Sequence, residues 1–197
     1  MGRAIGMVAG IDLQHPLVQR TARAVRLDEG LFEEVAANGD AERQAVALVS
    51  IASLASGLGL GIAAAIVDGG TGFLGGLLVG VVTSFGGWLV WTLYSYWFAA
   101  ALLRPHDADQ PVPGPLIHRG LMRCLAFANA PRALWFFLFI PYFGWAVAIV
   151  AAVWALVAGT IGTAVVFDLP RRRALGVCAV GWAPYMLFVF LAAALTM

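Results

Sequence analysis

The chain has 197 residues, of which 61% are apolar and 12% charged, and its mean hydropathy is +0.87. Soluble domains carry about 25% charged residues, so this composition excludes an ordinary soluble fold and predicts an all-α, multi-pass membrane protein. A net charge of +1 provides no basic face for nucleic acid, and the two cysteines match no disulfide or zinc spacing.

Residues 1–43 form the charged N-terminal segment, with five arginines and seven acids. Apolar residues between Leu17 and Val25 lie opposite arginines at helical spacing, which predicts an amphipathic helix at the membrane interface. A short acidic helix is expected to follow, with Asp40 as the N-cap of the next helix. We interpret the segment as a solvated cytoplasmic tail, and docking to a partner is the alternative.

Four stretches from residue 45 onward contain no Asp, Glu, Lys or Arg, and the shortest has 23 residues. About 20 helical residues cross a hydrocarbon core of about 30 Å, so each stretch qualifies as a membrane span. The longest, 133–167, divides at Ile140–Gly144, where Pro and Gly interrupt helix. Within a membrane domain of residues 44–197, the five predicted spans are 45–67, 72–103, 117–140, 142–167 and 174–196.

The distribution of arginine sets the orientation, because short cytoplasmic loops accumulate this residue. The loops at 68–71 and 141–144 contain none, whereas 104–123 and 168–173 contain three each. Five spans place every arginine-rich loop on one side of the membrane. This predicts a cytoplasmic N-terminus, an outer C-terminus and insertion in a bacterial inner membrane.

Small residues recur at every fourth position in the first two spans, a pattern that lets helix backbones approach closely in lipid. The set comprises Ser53, Gly57, Gly61, Gly72, Gly76 and Gly80. We expect the two spans to form a tight antiparallel hairpin, and self-association of two chains through one ladder is the alternative. Trp88, Trp91 and Trp97 are assigned to a cytoplasmic aromatic belt, and Trp135 to an outer one.

Arg132 is the charged residue that most clearly indicates a site. In the five-span topology it lies near the middle of the bilayer, where arginine is costly and a partner is expected. Pro131 frees a backbone carbonyl close to it, and Asn129 precedes it by three residues on the same helical face. The plain interpretation is that Arg132 snorkels or caps these carbonyls. Binding of a lipid phosphate, a partner helix or an anionic substrate is the alternative.

The other polar residues predict no catalytic or metal chemistry. The loop 104–118 contains four side chains of metal-ligand type, but its prolines make it a stiff connector without motif spacing. These side chains are His106, Asp107, Asp109 and His118. No hydrolase, zinc-protease or phosphate-loop motif occurs, so neither an enzyme nor a cofactor is predicted. The run Arg171, Arg172 and Arg173 is a topology signal that also offers a site for anionic lipid.

Short matches to one family run in order along residues 27–197. They are Leu27-Asp28-Glu29 leading to Phe32 and Glu34-Val35, Gln44-Ala45, Gly87-Trp88, Arg123 before Ala126-Phe127 and Ala130-Pro131, Ile140-Pro141 with Gly144, and Trp154. On these residues the chain resembles the bacterial branch of the Yip (Ypt-interacting protein) domain family of five-span membrane proteins. The resemblance implies no catalysis, and the eukaryotic relatives look like recruiters of prenylated Rab GTPases. The Asp-Leu-Tyr-Gly-Pro signature of that branch is absent here, so this partner is not carried over.

The predicted function is therefore a non-enzymatic membrane scaffold or adaptor that binds another membrane protein, lipids, or both. One alternative is an accessory subunit of a larger respiratory, photosynthetic or transport complex, which would pack its small-residue ladders and tryptophans against foreign helices. Another is a small transporter or channel that uses Arg132 as its binding site.

Overall fold

The computed structural model describes residues 7–8, 11–12, 15–68, 70–103 and 114–196, with side chains described between residues 15 and 189 of these ranges. Two short strands, β1 (Met7–Val8) and β2 (Ile11–Asp12), pair antiparallel. The α-helices are α1 (Pro16–Val25), α2 (Glu29–Ala37), α3 (Ala41–Val67), α4 (Phe73–Leu102), α5 (Pro115–Ala128), α6 (Phe143–Phe167) and α7 (Arg171–Thr196). A 3₁₀ helix (Ala130–Phe139) connects α5 to α6.

Three helices, α3, α4 and α6, are long and apolar enough to cross a membrane. They coincide with three of the predicted spans, and they support the all-helical, membrane-embedded class expected from composition. The predicted break near Pro141 is also present, because α6 begins at Phe143 after Tyr142, whose φ is 61°. A positive φ is unusual outside glycine, and here it turns the chain sharply between two helices.

The predicted span 117–140 is not one continuous helix. Pro131 has no N–H to donate and disfavours α geometry at Ala130, so α5 ends at Ala128 and the chain continues as a 3₁₀ helix. Runs of 3₁₀ helix longer than three or four residues are uncommon, yet this one has ten. The segment that carries Arg132 therefore differs in geometry from every other apolar segment that the structure describes.

The small-residue ladders of α3 and α4 face each other in an antiparallel hairpin. A Cβ atom built on Gly80 would lie 2.6 Å from the Cα of Gly57, and one on Gly76 would lie 2.9 Å from the Cα of Gly61. Real Cβ atoms do not approach so closely, so only glycine permits this spacing. Ser53 continues the ladder as a buried residue, whereas Gly72 lies at the turn, against Asp68 and Ala64.

The long segments alternate in direction. α5 and the 3₁₀ helix run beside α3 and parallel to it, since the backbone of Gly59 contacts Trp135 and the hydroxyl of Ser56 reaches the carbonyl of Arg132. α6 runs antiparallel to α5 and the 3₁₀ helix, with Gly144 against Phe137 and Gly162 against Cys124. α7 runs antiparallel to α4, with Gly87 against Tyr185 and Gly181 against Ser95, and it also packs on α6. Large apolar side chains are exposed around the bundle, for example Leu78, Val82, Ile149, Val153 and Leu187.

The N-terminal segment is not a free tail where the structure describes it. α2 packs against α5 and α6, and Leu31, Phe32 and Val35 are completely buried. Burial of each such side chain contributes about 1.5–3 kcal/mol relative to exposure to water. Asp40 is the N-cap residue of α3, as predicted, but its side chain makes no cap hydrogen bond; Asn38 Oδ1 instead accepts from the Asp40 amide at 2.9 Å.

Candidate buried-arginine and cap sites

Arg132 is held in the interior by the junction between α5 and the 3₁₀ helix. Asn129 ends α5, and its side-chain amide donates to the carbonyl of Leu125 at 2.8 Å. The amide of Arg132 then donates to the carbonyl of Asn129 at 2.9 Å, which starts the 3₁₀ geometry. The junction turns the Arg132 side chain away from the surface, and only 2% of the residue is exposed.

Two aromatic rings enclose the guanidinium of Arg132. Its central carbon lies 4.1 Å from the ring centroid of Trp135 and 4.5 Å from that of Tyr185. Such cation–π contacts contribute about 2 kcal/mol or more when the cation is desolvated. The rings are themselves fixed: Trp135 Nε1 donates to the carbonyl of Ala148 at 3.2 Å, and Tyr185 stacks on Trp91 at 6.4 Å between centroids.

The hydrogen-bonding capacity of the guanidinium is largely unused. Nη1 of Arg132 makes one long hydrogen bond, 3.4 Å, to Asn129 Oδ1, while Nε and Nη2 have no partner. Among the ion pairs of the described residues, none includes Arg132. A buried cation with unsatisfied donors is costly, since aromatic faces replace only part of its hydration.

Polar atoms on the helices around Arg132 are also without partners. Tyr185 is completely buried and its hydroxyl makes no hydrogen bond. Trp182 lies one turn before it on α7, and its Nε1 is unpartnered as well. On α3 the hydroxyl of Ser53 is unpartnered, one turn before Ser56. We define the Arg132 site as Arg132, Trp135 and Tyr185.

A second cluster fixes the N-terminal cap, defined here as α1 and α2. Glu34 accepts from both Arg20 and Arg23 at 2.6 Å, and Arg23 also donates to Asp28 at 2.7 Å. Nη1 of Arg20 also donates a hydrogen bond to Gln44 Oε1 on α3 at 2.8 Å. These contacts join the two cap helices to each other and to the first long helix of the bundle.

The charges of the cap change the acidity of its carboxyl groups. Arg20 and Arg23 hold the pKa of Glu34 below its ordinary value by donating hydrogen bonds to the ionised form. Arg23 lowers the pKa of Asp28 in the same way, and the two carboxylates raise the pKa of Arg23. The cap is therefore most strongly held when both acids are ionised.

Arg123 on α5 attaches α2 of the cap to the bundle. The sequence indicated a loop arginine that marks topology, but the structure buries it on α5. Its Nε donates to the carbonyl of Val35 at 2.7 Å, its Nη2 donates to the carbonyl of Ala36, and Nη1 lies 3.9 Å from Glu42 Oε2. Cationic donors at a helix C-terminus satisfy carbonyls that have no partner within the helix.

The arginine run after α6 contributes one contact to the cap. Arg171 Nη2 pairs with Glu29 Oε2 at 2.8 Å, and both side chains are largely exposed. Arg172 and Arg173, which lie with Arg171 in the first turn of α7 and not in a loop, are exposed beside it.

The predicted metal-ligand types do not converge in the described part of the chain. His118 packs edge-on against Tyr96 with 5.0 Å between ring centroids. The other three candidates, His106, Asp107 and Asp109, lie outside the described residues. Within the described ranges, no three side chains of His, Cys, Asp or Glu are grouped as a metal site.

Sequence reasoning singled out Arg132 and Asn129 but missed the aromatic partners. Trp135 had been assigned to an interfacial belt, although its i+3 spacing from Arg132 was a usable signal. Tyr185 lies 53 residues away on α7, and no local pattern connects it to Arg132. No family model, curated protein or solved structure matches the chain. The Yip resemblance therefore stays a prediction.

Proposed function

We propose that this protein is a non-enzymatic, Yip-like membrane scaffold or adaptor that presents its N-terminal cap to another membrane protein, to lipids, or to both. The proposal rests on how the cap is attached: Arg123 binds the end of α2, and Glu34 forms ion pairs with Arg20 and Arg23. A short charged segment is thereby held in one shape at one end of an apolar bundle. Fixed polar surfaces of this kind bind with a smaller loss of conformational entropy than free tails do.

The proposed topology has five spans, with the cap in the cytoplasm and α7 running outward through the inner membrane. Its support is the alternating direction of the long segments, with α5 and the 3₁₀ helix together as the third crossing. Fourteen residues of α helix and ten of 3₁₀ helix have a combined rise of about 40 Å, more than the hydrocarbon core requires. The arginines after α6 lie at the cap end, in agreement with the positive-inside rule.

The proposed contact surface lies where α2 meets α3. A shallow depression there is lined by Gly39, Asp40, Glu42, Arg43 and Val46. Asp40 and Arg43 are exposed, and neither takes part in the pairs that hold the cap. Asp40 and Arg43 are therefore available to form ion pairs with a basic and an acidic group of a partner.

The test is a pull-down of the tagged protein from its native membrane in mild detergent, with the double variant Asp40→Lys and Arg43→Glu. We expect a stoichiometric partner with the wild type and its loss with the variant, while insertion in the membrane is unchanged. Asp68→Lys, at the opposite end of α3, is the matched control and should retain the partner. Equal recovery from all three proteins would contradict the proposal. Deletion of the cap is a poorer test, because it exposes the core that Phe32 covers.

A further inference from the structure

We propose that the Arg132 site binds a phosphate group, supplied either by a phospholipid headgroup or by inorganic phosphate. The inference shares with the proposed function only the membrane location of the chain. It rests on the unused donors inside the bundle, whereas the scaffold proposal rests on the cap. The two can therefore fail separately.

The donors available at the site match an oxyanion. Arg132 offers Nε and Nη2 without partners, and these two groups form the geometry that guanidinium uses for bidentate phosphate binding. Tyr185 offers an unpartnered hydroxyl on the very ring that the guanidinium covers. An oxyanion bound beside the guanidinium therefore has unpartnered donors on two neighbouring residues. No described carboxylate competes for Arg132 at ion-pair distance.

A bound anion satisfies buried donors that have no partner within the protein. An unsatisfied polar group in a dry interior is destabilising, and an unsatisfied charged group is more so. An anion placed at Arg132 removes this destabilisation for the guanidinium and the hydroxyl, and it neutralises the buried charge.

The element that carries Arg132 is suited to admit a ligand. The 3₁₀ helix packs principally on α3 and α6, whereas the guanidinium of its Arg132 contacts the ring of Tyr185 on α7. The seam between the 3₁₀ helix and α7 is therefore bridged by the Arg132 side chain, which can change rotamer without unfolding a helix. Long 3₁₀ stretches often mark functional hinges, and this one is bounded by Pro131 and by the positive φ of Tyr142.

The test measures ligand-dependent thermal stability of the full-length protein in a neutral detergent. One arm titrates inorganic phosphate, and the other titrates a short-chain phosphatidylglycerol, each at constant ionic strength. We expect the melting temperature of the wild type to rise saturably in at least one arm. A rise with the lipid alone identifies a headgroup, and a rise with phosphate identifies the free anion.

Two variants and one control connect the response to the site. Tyr185→Phe keeps the ring and removes only the unpartnered hydroxyl, and we expect it to weaken apparent affinity at least tenfold. Arg132→Gln should abolish the response, and Arg119→Gln, at an exposed arginine of α5, should leave it as in the wild type. The proposal is overturned if neither ligand stabilises the wild type, or if Tyr185→Phe responds like the wild type. Because Tyr185→Phe preserves the packing, the test stands even where Arg132→Gln fails to fold.

Discussion

Because Gly87 has no side chain, the ring of Tyr185 can take its place in the Arg132 site. The ring of Tyr185 lies directly against the backbone of Gly87, in the space that a Cβ would occupy. The preceding residue, Gly86, has only the ring edge of Phe188 at 3.9 Å from such an atom. Two adjacent glycines in one helix therefore have different structural roles, and only Gly87 determines where the Tyr185 ring can lie.

We expect Gly87→Ala to destabilise the protein by about 1–3 kcal/mol, since the new methyl group must displace the Tyr185 ring. Gly86→Ala is the matched control, and it should be neutral or stabilising by up to about 1 kcal/mol because alanine is the better helix former. Thermal unfolding of the two variants in detergent measures the difference. Equal melting temperatures would show that Tyr185 does not depend on this contact.

At the scale of elements, the attachment of α2 to α5 depends on Arg123. Two carbonyls at the end of α2 lose their donors when this side chain is shortened; the hydrogen bond to Val35 is buried and the one to Ala36 is partly buried. Hydrogen bonds from a charged donor are worth about 1.5–3 kcal/mol each. The cap is therefore held by one residue of α5 in addition to its own apolar side chains.

Arg123→Gln is expected to weaken the docking of α2 by about 3 kcal/mol, because one of the two carbonyls remains unpaired. Hydrogen exchange of the amides in α2 measures this loss, and it should rise there while α3 and α4 remain protected. Arg119→Gln changes an exposed arginine on the same helix and should leave exchange unaltered. Unchanged protection of α2 in Arg123→Gln would contradict the capping role.

The same elements show what the sequence can and cannot predict. α3, α4 and α6 were predictable because hydropathy is a local property that sums along the chain, and the break at Pro141 follows from the chemistry of proline. The docking of Phe32 was not predictable, since a short amphipathic helix has the same pattern against lipid, water or a bundle. Arg132 was visible as a charge in apolar sequence, whereas its partner Tyr185 is set by tertiary packing alone.

At the scale of the whole molecule, the cap is bonded to α3 and α5, so its strength bears on the stability of that end of the bundle. Glu34 is central because it accepts from two arginines of α1. Its pKa lies below the ordinary value of 4.5. A depressed pKa means that the folded protein binds this proton less readily than the unfolded chain does. The stabilising contribution is thus complete above pH 4.5 and is lost as pH falls through the folded pKa.

We expect Glu34→Gln to lower the melting temperature near neutral pH and to flatten its decline in acid. The amide cannot accept two charge-assisted hydrogen bonds, so the variant lacks the contribution that the wild type loses on protonation. The two melting curves should therefore converge well below pH 4.5, where Glu34 is protonated in both states. Glu33→Gln, at the exposed neighbouring position, should follow the wild type throughout. Parallel curves for wild type and Glu34→Gln would mean that the pairs with Arg20 and Arg23 do not hold the cap, and that its docking depends on Phe32 and its apolar neighbours instead.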